Sequence, residues 1–371
     1  MSLPVFFSQI VGHHTALRLL RRAVATGDVA HAYLITGMAG VGKHSVAHAF
    51  AAALACPTPT PEGEACGECE SCRRFIHDAH PEIHTIAPYS EQTLIWQLWE
   101  GHNAPREAKA HQVGVIGRTI RFAPSFGRRL VYLFTRAETL TEAAANSLLK
   151  TVEEPPPYVV FLLLAPTPED VIETIRSRCQ WVPLYPVDTD LVAAWLEKQH
   201  RVEPARARRC ALLSQGCPGR AWSLAMQPQA LSLWEALADL AYAIADASSP
   251  APALQLAERL RALATVDLSE EGELVAEPAS KTRSPTRGAL LLAMDALGTW
   301  FHDALWLACG GDPRRIVYQG DEERLSRAAR RLGVERLTRA LETVLDVRRA
   351  VEGNANIALA TDALMLRLLR R

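Results

Sequence analysis

The sequence predicts an α/β fold, a P-loop parallel sheet with helices on both faces, followed by two all-helical domains. Three observations carry this reading. A buried apolar strand, Ala32 to Thr36, runs into the glycine-rich turn Gly37-Met-Ala-Gly-Val-Gly-Lys43 and then into a helical stretch, Ser45 to Leu54. Further apolar runs at Ile83 to Ile86, Leu130 to Phe134 and Val159 to Leu164 alternate with helical stretches such as Glu142 to Val152, the pattern of strands buried on both faces. After Pro183 and Pro186 the strand signals stop.

The elements follow in order. Leu17, Leu20, Ala23 and Val24 recur at helical spacing and open the α/β domain, which takes residues 1–185. Asp188 to Met226 reads as short helices punctuated by Gly216, Pro218 and Gly219, a small helical second domain over 186–227. A helical third domain covers 228–371, interrupted by Leu268 to Arg287, whose Glu, Ser, Pro and Lys content predicts a mobile loop. There is no internal repeat.

Composition narrows the function classes. The 371 residues are 49% hydrophobic and 22% charged with a formal net charge of −1, enough for packed cores and without a global field that attracts polyanions. The longest apolar run, Tyr158 to Ala165, is far shorter than the ~20 residues that cross a bilayer, and no basic stretch leads into an apolar core at the N-terminus. The expectation is a cytoplasmic protein without membrane contact.

In the Gly37–Lys43 turn, Gly37, Gly40 and Gly42 let backbone amides converge on phosphate oxygens, the helix that follows adds its positive end, and Lys43 neutralises the outer phosphates. The next residue is His44, where a working site places the hydroxyl that binds magnesium, and Ser45 comes one residue late. An imidazole is a poor ligand for a cation that prefers oxygen. The strand Leu130 to Phe134 ends in Thr135-Arg136, where a hydrolase of this kind carries carboxylates. No magnesium and little or no hydrolysis are expected. Bound nucleotide is doubtful, and Lys43 is read equally as a nucleotide ligand or a contact to a neighbour.

Cys56, Cys66, Cys69 and Cys72 give C-x9-C-x2-C-x2-C, spacing suited to a tetrahedral structural zinc inserted over residues 56–72. Four protein thiolates leave no open position for water. The remaining cysteines, Cys179, Cys210, Cys217 and Cys309, are scattered as reduced thiols would be. Arg128-Arg129, Arg330-Arg331 and Arg370-Arg371 read as solvated faces, and the tryptophans as packing residues. On residues alone, Arg178 is a helix-end arginine capping carbonyls.

These segments together resemble the bacterial DNA polymerase III clamp loader, an AAA+ assembly. The resemblance is carried by Phe7-Ser-Gln-Ile-Val-Gly12, His31-Ala-Tyr-Leu, the cysteine run followed by His80-Pro81-Glu82, Ala144-Ala-Asn-Ser-Leu-Leu-Lys-Thr-Val-Glu-Glu-Pro155, Thr174-Ile-Arg-Ser-Arg-Cys179, Gly219-Arg220-Ala221, Trp300 to Gly310 and Asn354-Ala-Asn356. It implies an AAA+ domain, a lid and a collar that joins subunits into a hetero-oligomeric ring. The polar residue the family places after the Val159 to Leu164 strand is replaced by Ala165 or Pro166.

Loss of hydroxyl and carboxylates with retention of Ser-Arg-Cys places the chain on the family's delta-prime side. The resemblance then implies that Arg178 reaches, in trans, the phosphates of ATP on a neighbouring ATPase subunit (gamma or tau). It makes Arg220 either a phosphate contact or a lid salt-bridge partner. It also implies as partners the delta subunit and, through the assembly, the sliding clamp and primed DNA. The competing expectation is an active gamma/tau-like ATPase in which His44 or Ser45 and Glu138 hold the metal. A third, an independent zinc-dependent DNA-binding protein, is disfavoured by the near-neutral charge.

Overall fold

The computed structural model describes residues 6–89, 92–100, 104–105, 113–264, 287–318 and 321–370. The loop expected over Leu268 to Arg287 lies, up to residue 286, outside them, as does Arg371 of the last arginine pair. The chain forms two compact units, the first Met1–Leu191 with Gly216–Pro218 and the second Val192–Gln215 with Gly219–Arg371.

The first unit is built on a five-stranded, all-parallel sheet of order β2-β3-β4-β1-β5, with β1 Ala32–Thr36, β2 Ile83–Ile86, β3 Leu130–Phe134, β4 Val159–Ala165 and β5 Gln180–Pro183. Every residue of β1, β3 and β4 is buried, as a strand covered on both faces requires. Side-chain alternation divides them between two cores. Tyr33, Ile35, Val131, Leu133, Leu162 and Leu164 pack toward α1 (His14–Thr26) and α2 (Lys43–Ala55). Ala32, Leu34, Tyr132, Phe134, Phe161 and Leu163 pack on the other face with α6 (Glu142–Glu153).

Helix α1 contributes Leu17, Leu20 and Val24 from one stripe, and α2, alanine-rich and nearly all buried, inserts Phe50 edge-on to Tyr33 at 4.9 Å. Each fully buried side chain of this size contributes roughly 1.5–3 kcal/mol. Thr141 caps α6 by accepting the amide of Ala144. The remaining helices of this unit are short: α3 Glu70–Ile76, α4 Ile95–Leu98, α5 Val115–Thr119 and α7 Glu173–Arg176. Helices on both faces of a parallel sheet with a phosphate-loop turn after β1 are the α/β architecture expected.

The second unit is helical: most of α8 (Thr189–His200), then α9 (Pro204–Leu213), α10 (Pro218–Met226), α11 (Pro228–Asp246), α12 (Ala253–Leu263), α13 (Arg287–Ala308), α14 (Glu322–Glu352) and α15 (Ile357–Leu368). Its centre is Trp300 on α13, fully buried and edge-on to Tyr242 at 5.1 Å and Phe301 at 5.2 Å. Buried Asp303 accepts the amides of Val317 and Tyr318 at 2.7 and 3.0 Å and so ties the chain after α13 back onto that helix. Helix α14 is broken at Gly333, whose φ of 73° a side chain would resist.

Candidate phosphate loop and metal centre

The loop between β1 and α2 is fixed by its backbone. Gly37 donates its amide to the carbonyls of Ala165 and Pro166 at 3.3 and 3.0 Å. Its φ is 153°, and a Cβ there would lie 2.6 Å from the Leu184 carbonyl oxygen, so only glycine fits. The Lys43 ammonium folds over the loop, donating to the carbonyls of Gly37 at 2.6 Å and Met38 at 3.0 Å. The His13 ring nitrogen Nε2 sits 2.8 Å from the Val41 carbonyl, and burial holds this imidazole below its ordinary pKa. The result is a backbone cradle with an ammonium at the start of a helix, suited to an anion.

His44, Thr135, Arg136 and Ala165 are the residues that the sequence reading assigns to the metal half of such a site. His44 is kept below the ordinary histidine range first by burial and then by the Lys43 cation and His48, so it is a neutral imidazole at pH 7. Past the end of β3, Thr135 donates its amide to Ile86 at 3.1 Å, and the Arg136 guanidinium lies 3.3 Å from Glu138. Ala165 closes β4 directly opposite Thr36 of β1, with an apolar side chain at the position where a polar residue is expected. Thr36 itself accepts from the indole N–H of Trp181 at 2.8 Å. The residues assigned to those positions thus offer imidazole, hydroxyl and guanidinium groups in place of carboxylates.

The cysteine module gives the opposite picture. The sulfurs of Cys56, Cys66, Cys69 and Cys72 all lie within 4.8 Å of one another, with the Cys56–Cys69 and Cys66–Cys72 pairs each at 3.9 Å. A tetrahedron of metal–sulfur bonds of about 2.3 Å has edges of about 3.8 Å, so the donor set fits a four-coordinate ion. The same distances exclude disulfides, which need about 2.05 Å. Amides of Cys66, Cys69 and Cys72 each point at the sulfur of Cys56, Cys66 and Cys69 respectively, at 3.4 Å, and the Thr58 hydroxyl at Cys66, a shell that stabilises thiolates. Hydrogen bonding from Cys72 pulls the Cys56 thiol down to about 4, while the same contact pushes Cys72 up. The module is anchored on the fold: Glu64 accepts the Ser8 amide and pairs with Arg21, and Gly67 lies against the Phe6 ring.

Arg178 stands just beyond α7. Its guanidinium pairs with Glu153, the last residue of α6, at 2.6 Å and donates to the Thr174 carbonyl at 2.7 Å, with its side chain still about a third exposed. It therefore makes the helix-end carbonyl contact that the residues alone predict, plus an ion pair across to the Glu153-Glu154-Pro155 stretch. Cys179 beside it is an inert thiol, pushed up to about 12 by burial. In the second unit Arg220 lies 3.8 Å from Asp295, which also takes Arg348 at 2.6 Å, so this arginine is held in a salt-bridge network within that unit. Glu153, Asp295 and the buried Glu82 are the residues to which motif reading gives no role; Glu82 and Glu153 stand inside quoted motifs, Asp295 in none.

Residues 12–188, just under half the chain, match the family model described as DNA polymerase III, delta subunit. Among curated proteins, DNA polymerase III subunit delta′ of Yersinia pestis is 34% identical over 62% of this chain and 62% of its own length. Subunit delta′ of Pseudomonas aeruginosa is 36% identical over 51% and 54%, and subunit tau of Salmonella typhimurium 33% over 58% and 31%. The chain thus spans less than two thirds of the length of each of these relatives. Among solved structures, a DNA polymerase III gamma subunit-related protein of Thermotoga maritima superposes over 96% of this chain and all of its own, at 16% identity and a TM-score of 0.42. That score adds nothing to the fold read from the sheet itself. By sequence, then, the chain is similar over its N-terminal half to clamp-loader subunits of DNA polymerase III, delta′ and tau among them.

Proposed function

We propose that the protein is the delta-prime-type subunit of a DNA polymerase III clamp loader: a scaffold that does not itself hydrolyse ATP and that donates Arg178 to a neighbouring ATPase subunit. One observation carries this reading. The phosphate loop keeps its glycine backbone and Lys43 while His44, Thr135 and Arg136 stand where metal and water ligands belong. A chain that retains a helix-end arginine but lacks the means to activate water acts through contact.

In this reading the three functional regions are an AAA+ domain to residue 185, a lid over 186–227 and a collar from 228 that joins the ring. The partners are gamma or tau and delta, with the sliding clamp and primed DNA reached through the assembly, in the cytoplasm. The absence among the described residues of any helix long and apolar enough to cross a membrane is consistent with this. The ion of the cysteine module is zinc, held by Cys56, Cys66, Cys69 and Cys72 and structural in role, because all four positions of a tetrahedron are taken by protein sulfur. Arg178 reaches a neighbour's phosphates by exchanging Glu153 for a more highly charged partner, and such fingers contribute roughly 10³ to 10⁵ in rate.

Native mass spectrometry of the chain mixed with clamp-loader ATPase and delta subunits tests the proposal. The expected spectrum is a hetero-oligomer containing one copy of this chain carrying one zinc ion. A chain that stays alone, or that forms a homomeric ring binding magnesium and ATP, would refute it.

A further inference from the structure

The segment 113–129, between the cysteine module and β3, carries Arg118, Arg121, Arg128 and Arg129 and no acidic residue. Within it the loop Arg121-Phe-Ala-Pro-Ser-Phe-Gly-Arg-Arg129 exposes two large apolar rings: Phe122 is 71% and Phe126 40% accessible. Exposed phenylalanines at the tip of a loop are costly to keep in water, and here the loop is held rigidly in a shape that presents them.

The grip comes from inside. Glu82, 6% exposed, turns its carboxylate into the loop and accepts the amides of Ser125, of Phe126 at 2.7 Å and of Gly127 at 2.7 Å. A Cβ on Gly127 would lie 2.6 Å from the Ala55 carbonyl oxygen, so the loop presses on the chain just before Cys56. The Ala55 carbonyl accepts both the Arg128 amide and the Ser71 hydroxyl at 3.1 Å, Ser71 is 2.8 Å from His80 Nε2, and His80 Nδ1 takes the Glu82 amide at 3.2 Å. At the ends, Tyr158 donates to the Ile120 carbonyl at 3.1 Å and Arg129 to the Pro157 carbonyl. Six hydrogen bonds thus fasten residues 120–129 to Glu82, to Ala55 beside Cys56, and to Pro157 and Tyr158 just before β4.

Around it several arginines gather. Arg74 of α3 lies over the Phe126 ring, 4.2 Å from its centroid, and Arg73 beside it is exposed. Arg121 and Arg128 are exposed. Of the acids beside it, Glu70 is paired with Arg74, Glu100 with Arg118, and Glu82 accepts the buried amides. Guanidinium groups interleaved with exposed aromatic faces on a preorganised loop match a backbone of phosphates bearing unstacked bases. A duplex keeps its bases stacked away from such rings, so it offers only the phosphate half of the match.

We infer that the loop 121–129, with Arg73 and Arg74, is a docking site for single-stranded nucleic acid, its arginines on phosphates and Phe122 and Phe126 under bases. The site lies in the first unit and concerns the lone chain, so it stands or falls independently of the clamp-loader proposal.

The test uses the purified full-length chain and a fluorescein-labelled 20-nucleotide oligo(dT), read by fluorescence anisotropy across a salt series. Binding should weaken linearly in log–log form with salt. The Phe122→Ala/Phe126→Ala chain should bind roughly tenfold or more weakly with its salt slope kept. The Arg121→Ala/Arg128→Ala chain should lose about 1.4 units of slope, about 0.7 per arginine on a single strand. An unlabelled duplex of the same length should compete less well than unlabelled oligo(dT), and a 20-residue polyglutamate less well still. No binding at low salt, equal binding by both double variants and the parent with unchanged melting temperatures, or equal competition by duplex or polyglutamate would overturn the inference.

Discussion

The phosphate loop and the cysteine module stand on the same sheet, and each is half of what a functional site needs. The loop has the backbone of a nucleotide site, with Gly37 locked against Leu184 and Lys43 folded over its carbonyls, but is followed by His44 where that pattern has a hydroxyl. The module has little regular backbone, yet it brings four sulfurs to tetrahedral spacing. The first is thus defined by backbone geometry, whereas the second is a convergence of four side chains where regular structure is sparse. Binding capacity follows the frame, whereas catalysis follows a few side chains.

The comparison is broken or sharpened by four measurements. The largest effect is expected at Arg178: in a reconstituted assembly Arg178→Ala should leave the stoichiometry intact and slow ATP turnover at least ~10³-fold, about 4 kcal/mol of transition-state stabilisation. Unchanged turnover would place the finger elsewhere. Next comes the module. Cys72→Ser, or exhaustive chelation, should release one equivalent of metal and lower the thermal midpoint by on the order of 5 °C, read by elemental analysis and calorimetry. A metal-free parent protein with the same midpoint would show that the sulfurs merely pack.

A smaller effect concerns acid. His13, His44, His80, His84 and His200 are all held below the ordinary histidine value of 6.5, burial being the first cause in each. The folded state therefore binds fewer protons than the unfolded one just below pH 6.5, so unfolding takes up protons and stability falls as pH drops through that region. Denaturant midpoints at pH 7.5 and 5.5 should differ in that direction, and His44→Gln should reduce the difference. Smallest of all, Lys43→Ala should leave the isolated chain's ATP turnover where it was, at background.

Much of this was legible in the sequence because it is local. A strand buried on both faces is a run of apolar residues, a phosphate loop is seven consecutive residues, and the cysteines announce themselves by spacing. The structure supplies the long-range partners. Arg178 finds Glu153 and Arg220 finds Asp295, contacts that depend on how helices distant in sequence are brought together. Glu82 grips amides 43 to 45 residues away, and no periodicity encodes a carboxylate turned inward onto a loop. The Arg128-Arg129 pair read as an ordinary solvated face until Phe122, Phe126 and Arg74 were seen on the same surface, because aromatic exposure is a property of the fold rather than of composition.

The most direct test of the account is ATP hydrolysis by the isolated, full-length chain with excess magnesium, measured beside its Lys43→Ala variant. The account predicts turnover indistinguishable from that variant at every magnesium concentration, whether or not nucleotide binds. Magnesium-dependent turnover that Lys43→Ala abolishes would mean that His44, Ser45 or Glu138 seats the ion after all, and would contradict it.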